Sequence, residues 1–471
     1  MKRILAFDFG ASSGRAILAC YEGGKLTYEE VHRFPNEPIY KNGHLCWNFP
    51  RLLEEVKAAI AKCGGAESLA FDTWGVDYGL LDGKGELMGL PLNYRDSRTD
   101  SMPERFFETM SPQALYATTG NQIMPINTLF QLMSEEKKEA KHLLFMPDLF
   151  VWALCAAAGT EKTIASTSQM FNPMIKNWHE NVVSHTGFPC SLLPEVGDCA
   201  SVCGAYQGMK VIRVAGHDTQ CAIAAMPSDG SQEAAFLSCG TWSLIGCELD
   251  DPILTEKSMA DELSNELGAN GKVDYLKNIS GLWLIQELRR NFRTEGKEYT
   301  YNDMEQLARK AEPYACFIDP DAPEFASPGD MQGKIRAFCR RTCQRIPETD
   351  GSLVRCVYES LAMKYRYAIV QIQENTGKCF QVLHLLGGGT KDGFLCQMTA
   401  DALEIPVVAG PVEATALGNI LLQLVALGDI PDLETGRKII RSQELLTTYM
   451  PRPQPELEAA YIHFLRVISY M

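Results

Sequence analysis

Apolar and polar positions divide the first 35 residues into three strands. KRILAFDF is a nearly unbroken apolar run, GRAILACYE follows it directly, and KLTYEEVHRF alternates apolar with polar. Gly23-Gly24 between the last two predicts a tight hairpin turn. The period then lengthens from two to 3.6. Leu52, Leu53, Val56 and Ile60 fall on one helical face behind Asn48, a residue suited to cap a helix start, and Gly64-Gly65 stops the run. SLAFDTWG predicts another strand and LLDGKGEL another hairpin. LFVWALCAAAGT, Leu149 to Thr160, predicts a buried helix, too short for the ~20 residues a bilayer span needs.

Around residue 234 the pattern starts again. AAFLSCGTWSLIGCEL predicts strand, glycine turn, strand, as around Gly10, with Gly240 at the second turn. A long amphipathic helix over about Leu353 to Asn375 follows. FQVLHLLGGGTKDGFLCQMTADAL then predicts strand, glycine loop and helix, IPVVAG a strand, and PVEATALGNILLQLVALG a helix. A strand meander followed by alternating strands and helices is the order of an α/β layer with a mixed sheet. The turn-rich PSDGSQE, Pro227 to Glu233, marks the boundary, so two domains are expected, 1–230 and 231–471.

Composition narrows the function classes. A net charge of −15 over 471 residues, with no basic run, argues against a nucleic-acid surface. The first apolar run is stopped by Asp8, well short of a secretory signal's apolar region, so a cytoplasmic protein with no membrane partner is expected. The 16 cysteines are scattered, without CxxC and without His at finger spacing, which favours buried reduced thiols over a zinc or iron–sulfur site.

The chemistry concentrates in glycine-rich turns. In DFGASSGR, Asp8 to Arg15, Gly10 and Gly14 permit a tight turn that brings backbone N–H groups towards an anion. Ala11, Ser12 and Ser13 form its tip, the serines add hydroxyl donors, and Arg15 adds a forked cation for phosphate oxygens. Asp8 is a hard oxygen ligand of the kind Mg²⁺ takes. Taken alone, the segment is equally a plain hairpin. GASSG also fits the G-x-S-x-G nucleophile elbow, but that elbow leads into a helix, and here the apolar RAILAC predicts a strand. SCGTWS, with Gly240 and Thr241, is the matching turn in the second half. Two such turns across a cleft would hold the phosphates of a nucleotide. Gly387 to Gly389 stand between a strand and a helix, where a backbone approaches a flat ligand or a phosphate closely. Neither G-x-G-x-x-G nor a Walker A sequence occurs, so a nucleotide would be bound by another architecture. In VAGHDTQCA, Asp218 after His217 is suited to accept a hydroxyl proton, or to cap a helix beginning near Thr219.

DFGASSGR, DTWGVDYGLLD, GLPLNYRDSRTD, the GHDT loop, LSCGTWSLIG, NISGLWLIQE, LGGG and GPVEATALGN occur in an order that resembles the FGGY carbohydrate kinases of the actin-like ATPase superfamily, over essentially the whole chain. The resemblance implies two α/β lobes, each with a ribonuclease-H-like core, with ATP and a ketose in an interdomain cleft and Mg²⁺ as cofactor. DTWGVD and YRDSRT resemble the branch acting on L-rhamnulose, implying transfer from ATP to O1. Carried over by position, Asp218 is the expected proton acceptor. Gly75, His217, Thr219 and Asn278 are the expected sugar contacts. Ala11, Ser12, Ser13, Gly14, Arg15, Thr241, Gln286 and Gly388 fall on the ATP side, and Asp8 on the metal. Trp74 is either a wall of the sugar pocket or a core aromatic. Lys391-Asp392 departs from the family's Gln-Asn. Cys339 and Cys356 fall where some relatives place a cysteine pair; free thiols are expected here. A kinase for another ketose and a non-catalytic sugar sensor are the competing readings.

Overall fold

The computed structural model describes residues 1–137 and 139–469. The chain forms two units, one of Met1–Asp229, Glu248–Leu276 and Glu413–Glu444, the other of Gly230–Cys247, Lys277–Val412 and Leu445–Met471. The chain passes from one to the other near the expected boundary, but two later segments return to the first unit, which a single cut at 230 does not describe.

In the first unit the strands β1 (Lys2–Phe9), β2 (Ser13–Glu22), β3 (Lys25–Pro35), β4 (Ser68–Thr73), β5 (Ser201–Tyr206) and β6 (Met209–Arg213) form one sheet in the order β5-β6-β4-β1-β2-β3. β1, β2 and β3 are an antiparallel meander, and β4 runs parallel to β1 and β6. The Gly23-Gly24 turn has both residues at positive φ, the conformation of a two-residue hairpin. LLDGKGEL closes on itself at a single bridge, Leu81↔Leu87; the main partner of Tyr78–Leu81 is His142–Phe145. Asn48 caps the helix Phe49–Lys62, accepting from the Arg51 N–H at 3.4 Å.

Alternation along β1 assigns the two faces of this sheet. Phe9 and Phe71 stack on Phe150 of the buried helix Met146–Cys155, ring centroids 4.5 and 5.3 Å apart, and Phe7 stacks on Phe71 at 4.9 Å. Ile4, Ala6 and Ala70 face the other way and pack with Ala416, Leu417, Ile420 and Leu421 of the helix Ala414–Leu427. That packing is the physical reason the 413–444 segment belongs to the first unit: a helix with buried residues on nearly every side needs two apolar neighbours, and the alanines of β1 and β4 let it approach.

The second unit repeats the plan. Its strands β7 (Ala234–Cys239), β8 (Trp242–Leu249, in this unit as far as Cys247), β9 (Val273–Ser280, in this unit from Lys277), β10 (Val382–Leu386), β11 (Val407–Ala409) and β12 (Thr447–Tyr449) stand in the order β9-β8-β7-β10-β11-β12. β7 and β8 are antiparallel, and β10 lies parallel to β7 and β11. The predicted long helix runs from Asp350 to Thr376, opened by a Thr349/Ser352 capping box and closed by Gly377. Among the described residues every cysteine is free, and no helix is long and apolar enough to cross a membrane.

Candidate active site

The same alternation brings the acidic residues of the first unit together. Asp8 shares its face of β1 with Ile4 and Ala6, and Asp72 sits beside it in the parallel register of β4. Arg15 stands directly opposite Asp8 across the β1–β2 ladder, the arrangement in which opposite charges on neighbouring strands meet. Its Nε and Nη2 donate to Asp8 Oδ2 at 2.9 and 2.7 Å, and its Nη1 donates to Glu413, at the start of the helix Ala414–Leu427. Burial works against the guanidinium charge, but Asp8 and then Glu413 outweigh it and raise its pKa. The fork expected to donate to phosphate is engaged by two carboxylates, and a phosphate would have to exchange with one of them.

Asp72 is fully buried. Its Oδ2 accepts from Asn419 Nδ2 at 2.7 Å, while its Oδ1 has no hydrogen-bond partner among the described residues. Burial first, and Asp8 second, push its pKa well above the ordinary carboxylate value. Gln423 continues the buried ladder, donating to Asn419 Oδ1 at 2.8 Å and accepting from Ser68 Oγ at 2.6 Å.

The DFGASSGR turn is strapped from outside. Gly10 N–H donates to Ser13 O at 2.9 Å, and Asn36, itself buried, donates from N to Ser12 O at 3.0 Å and from Nδ2 to Gly10 O at 2.8 Å. Ser12 is exposed at the tip, with Ala11 and Ser13 partly so. Gly14 also has a role in packing. It lies inside β2, opposite Phe9, and a Cβ there would stand 2.4 Å from the Phe34 ring, so its small size serves packing. The strand after Ser12 also removes the helix that a nucleophile elbow requires.

The DTWGVD and GHDT loops are joined. Thr73 N–H donates to Gly216 O at 2.9 Å, and Thr73 bridges to His217. Glu161 Oε1 accepts from Gly216 N–H at 2.9 Å while also capping the next helix, which holds the GHDT loop in place. Asp218 opens the helix Asp218–Ala224; its Oδ1 accepts from Thr219 N–H at 2.6 Å and lies 3.5 Å from His217 Nε2. Its side chain remains 30% exposed, an opening through which a hydroxyl can reach it. The surrounding bulk pushes its pKa up to about 6, against the pull of His217 and with a push from Asp8. His217 Nδ1 stands 3.0 Å from buried Glu266 Oε2. Burial disfavours the imidazolium, but Glu266 more than compensates, and the His217 pKa rises.

A Cβ on Gly75 would come within 3.2 Å of Thr167. The next residue, Val76, is held at φ 66°, a costly conformation for a β-branched residue. Thr167 Oγ1 accepts from its N–H at 3.2 Å, and Thr128 Oγ1 donates to its carbonyl at 2.7 Å. Trp74 is a core aromatic. It is 6% exposed, stacks on Trp47 at 4.1 Å, and donates to buried Asp77 at 3.0 Å.

In the second unit the β7–β8 turn repeats the first. Gly240 N–H donates to Trp242 O at 2.8 Å, and the 281–283 segment is bonded onto it, with Gly281 and Trp283 N–H both donating to Thr241 O at 3.1 Å. Gln286 lies one turn into the helix Trp283–Thr294, and Asn278 lies on β9, in this unit, apart in the chain from the other expected sugar contacts. Of the three glycines, Gly387 needs its positive φ, Gly389 packs on Cys239 Sγ, which a Cβ would meet at 2.3 Å, and Gly388 faces open space. Asp392 caps the helix Gly393–Leu403, accepting from Leu395 N–H at 2.9 Å, and Lys391 is exposed.

Sequence reasoning missed Glu413, Asn419, Asp72, Glu266, Glu161 and Asn36 as partners of this constellation. Glu413, Asn419 and Asp72 lie within stretches already singled out, so only their roles were hidden; Glu266, Glu161 and Asn36 carry no local signal.

Residues 3–236 match the FGGY family of carbohydrate kinases, N-terminal domain, and residues 235–427 its C-terminal domain. The chain is 37% identical to a rhamnulokinase of Bacteroides thetaiotaomicron, with 98% of this chain and 99% of that protein covered. It is 36% identical to a rhamnulokinase of Enterococcus faecalis, with 95% and 94% covered. Its fold is similar to a ligand-bound xylulose kinase from Lactobacillus acidophilus (TM-score 0.78, 18% identity, 100% and 97% covered). It is likewise similar to Plasmodium falciparum glycerol kinase with ADP (TM-score 0.79, 14% identity, 100% and 98% covered).

Proposed function

The chain belongs to the FGGY family of carbohydrate kinases, and we propose that within it this chain transfers the γ-phosphoryl group of ATP to O1 of L-rhamnulose, giving ADP and L-rhamnulose 1-phosphate. The observation that carries the substrate is the 36–38% identity, over nearly the whole chain, to three proteins named rhamnulokinase. The structures of other sugar kinases, all at 18% identity or less, support the fold alone.

Asp218 is the general base. It is an accessible carboxylate at a helix start, with a pKa near 6 that leaves it ionised at neutral pH yet more basic than an ordinary Asp. It takes the O1 proton as the O–P bond forms. His217, whose protonated form Glu266 favours, stabilises the Asp218 carboxylate and, with Gly75, Thr219 and Asn278, is a proposed sugar contact. The exposed tip of DFGASSGR, the Gly240-Thr241 turn and Gly388 are the phosphate-side elements, with Gln286. The residues present suit Mg²⁺: Asp8 and Asp72 offer adjacent hard oxygens, and the orphaned Asp72 Oδ1 is a buried acceptor in want of a cation. When bound there, the ion would neutralise phosphate charge during transfer. Arg15, engaged with Asp8 and Glu413, keeps this carboxylate group compact.

A coupled ADP-release assay with Mg·ATP and a panel of L-rhamnulose, L-fuculose, D-xylulose, L-ribulose, D-fructose and glycerol tests the proposal. L-Rhamnulose is expected to give the highest kcat/KM. Preferred turnover of another ketose would overturn the substrate assignment and leave the kinase chemistry intact, and ATP binding without turnover of any would overturn both in favour of a sensor.

A further inference from the structure

Three of the scattered cysteines meet in the second unit. Cys316 comes from the loop after the helix Tyr301–Lys310, Cys339 from the helix Met331–Arg341, and Cys356 from the early turns of the helix Asp350–Thr376. They are 3%, 0% and 2% exposed, and their sulfur atoms all lie within 4.8 Å of one another. Among the described residues no other group of three His, Cys, Asp or Glu side chains gathers its ligand atoms so tightly.

The backbone around them is held on both sides. Phe317 N–H donates to Gln344 Oε1 at 2.8 Å, Ile318 N–H donates to Ser360 Oγ at 2.9 Å, and Ser360 Oγ donates to the Cys356 carbonyl at 2.6 Å. The loop that carries Cys316 is thus pinned to both neighbouring segments, which fixes the approach of its sulfur.

We propose that Cys316, Cys339 and Cys356 form a three-thiolate site for a thiophilic d¹⁰ cation, Cu⁺ or Zn²⁺. Soft thiolates select such ions over the hard cations that suit the active-site carboxylates. A metal about 2.3 Å from each sulfur puts the sulfurs roughly 3.8–4.0 Å apart, so binding needs a contraction of less than about 1 Å. Cu⁺ is satisfied by the three sulfurs alone. Zn²⁺ requires a fourth ligand; among the described residues no other His, Cys, Asp or Glu side chain brings a ligand atom within 4.8 Å of all three sulfurs, so a water molecule would have to complete the set. Binding displaces the thiol protons to solvent. Three sulfurs also exceed what a disulfide uses, since closing any pair leaves the third buried and unpaired. The bound ion would tie one loop and two helices of this unit together.

The test is metal binding by the full chain, purified under reductant and stripped of metal. It is titrated separately with Zn²⁺ and with Cu⁺ against competing chelators, and Co²⁺ is added as a spectroscopic probe of thiolate ligation. One tight equivalent is expected, with a sulfur-to-cobalt charge-transfer band. Cys316→Ser and Cys339→Ser are expected to weaken binding at least 100-fold, and Cys343→Ser, at an exposed cysteine, to leave it unchanged. The winning ion separates the two cations. Should either serine variant fold poorly, metal-dependent protection of the three thiols from alkylation, mapped by mass spectrometry, replaces it. No binding by the reduced protein, unchanged binding in both serine variants, or two fewer titratable thiols in the unreduced, unfolded chain would each overturn the proposal, the last in favour of a disulfide.

Discussion

Gly418 offers the sharpest test of how the base is held. It lies in the helix Ala414–Leu427, which crosses the helix that begins with Asp218. A Cβ at this position would stand 1.8 Å from the Cys221 carbonyl oxygen, a backbone atom that cannot swing aside, whereas real Cβ contacts do not fall under 3.0 Å. Gly418→Ala must therefore separate the two helices by roughly 1 Å. The intrinsic gain of Ala over Gly in a helix, ~1 kcal/mol, offsets part of an overpacking cost of ~1–3 kcal/mol. The helix interface is rigid on both sides, so the upper end applies and the net loss is ~2 kcal/mol. In a unit of this size that is a fall of about 2–4 °C in melting temperature. A shift of ~1 Å at Asp218 costs up to 10²-fold in rate, so kcat is expected to fall about 10–100-fold. Calorimetry and the coupled ADP assay measure the two effects. Gly436→Ala is the control, because its Cβ would meet only Leu421 methyl groups, at 3.0 Å, and these can turn. A Gly418→Ala enzyme with native melting temperature and native kcat would refute the claim that this helix contact sets the position of Asp218.

Three further outcomes follow from the site. Asp218→Asn is expected to lower kcat by about 10²–10⁴-fold with little change in ATP affinity, measured by initial rates and calorimetric titration; a tenth or more of the native activity remaining would remove Asp218 as base. Because the base must be ionised and its pKa is raised to about 6, kcat/KM is expected to rise with pH through about 6 and to level above it, read from a pH–rate profile. Glu266→Gln removes the charge that favours protonated His217, so the support His217 gives the Asp218 carboxylate weakens and this acid limb is expected to move upward; a purely structural role for Glu266 would change the rate and leave the limb where it was.

The chain's local pattern was enough to determine the elements and the places where chemistry gathers. Alternation marked β1 to β3, Gly23-Gly24 marked their hairpin, and the second glycine turn at 240 announced a repeated plan. The small and hydroxyl residues of DFGASSGR, and Asp218 in its glycine-rich loop, were visible because turns and catalytic groups demand particular residue types at fixed local spacing. What only the tertiary structure decided were the partners. Arg15 is expected as a forked donor for phosphate; its actual partners here are Asp8 across the hairpin and Glu413, 398 residues away. Gly14, expected on the anion side, also leaves the space that the Phe34 ring fills. The buried pairing of Asp72 with Asn419, the Glu266–His217 contact and the meeting of Cys316, Cys339 and Cys356 depend on which helix covers which sheet face and how closely it approaches. Side-chain periodicity says which residues share a face. It carries no information about which distant segment will cover that face, because that choice is made by the shape and volume of the whole packed layer.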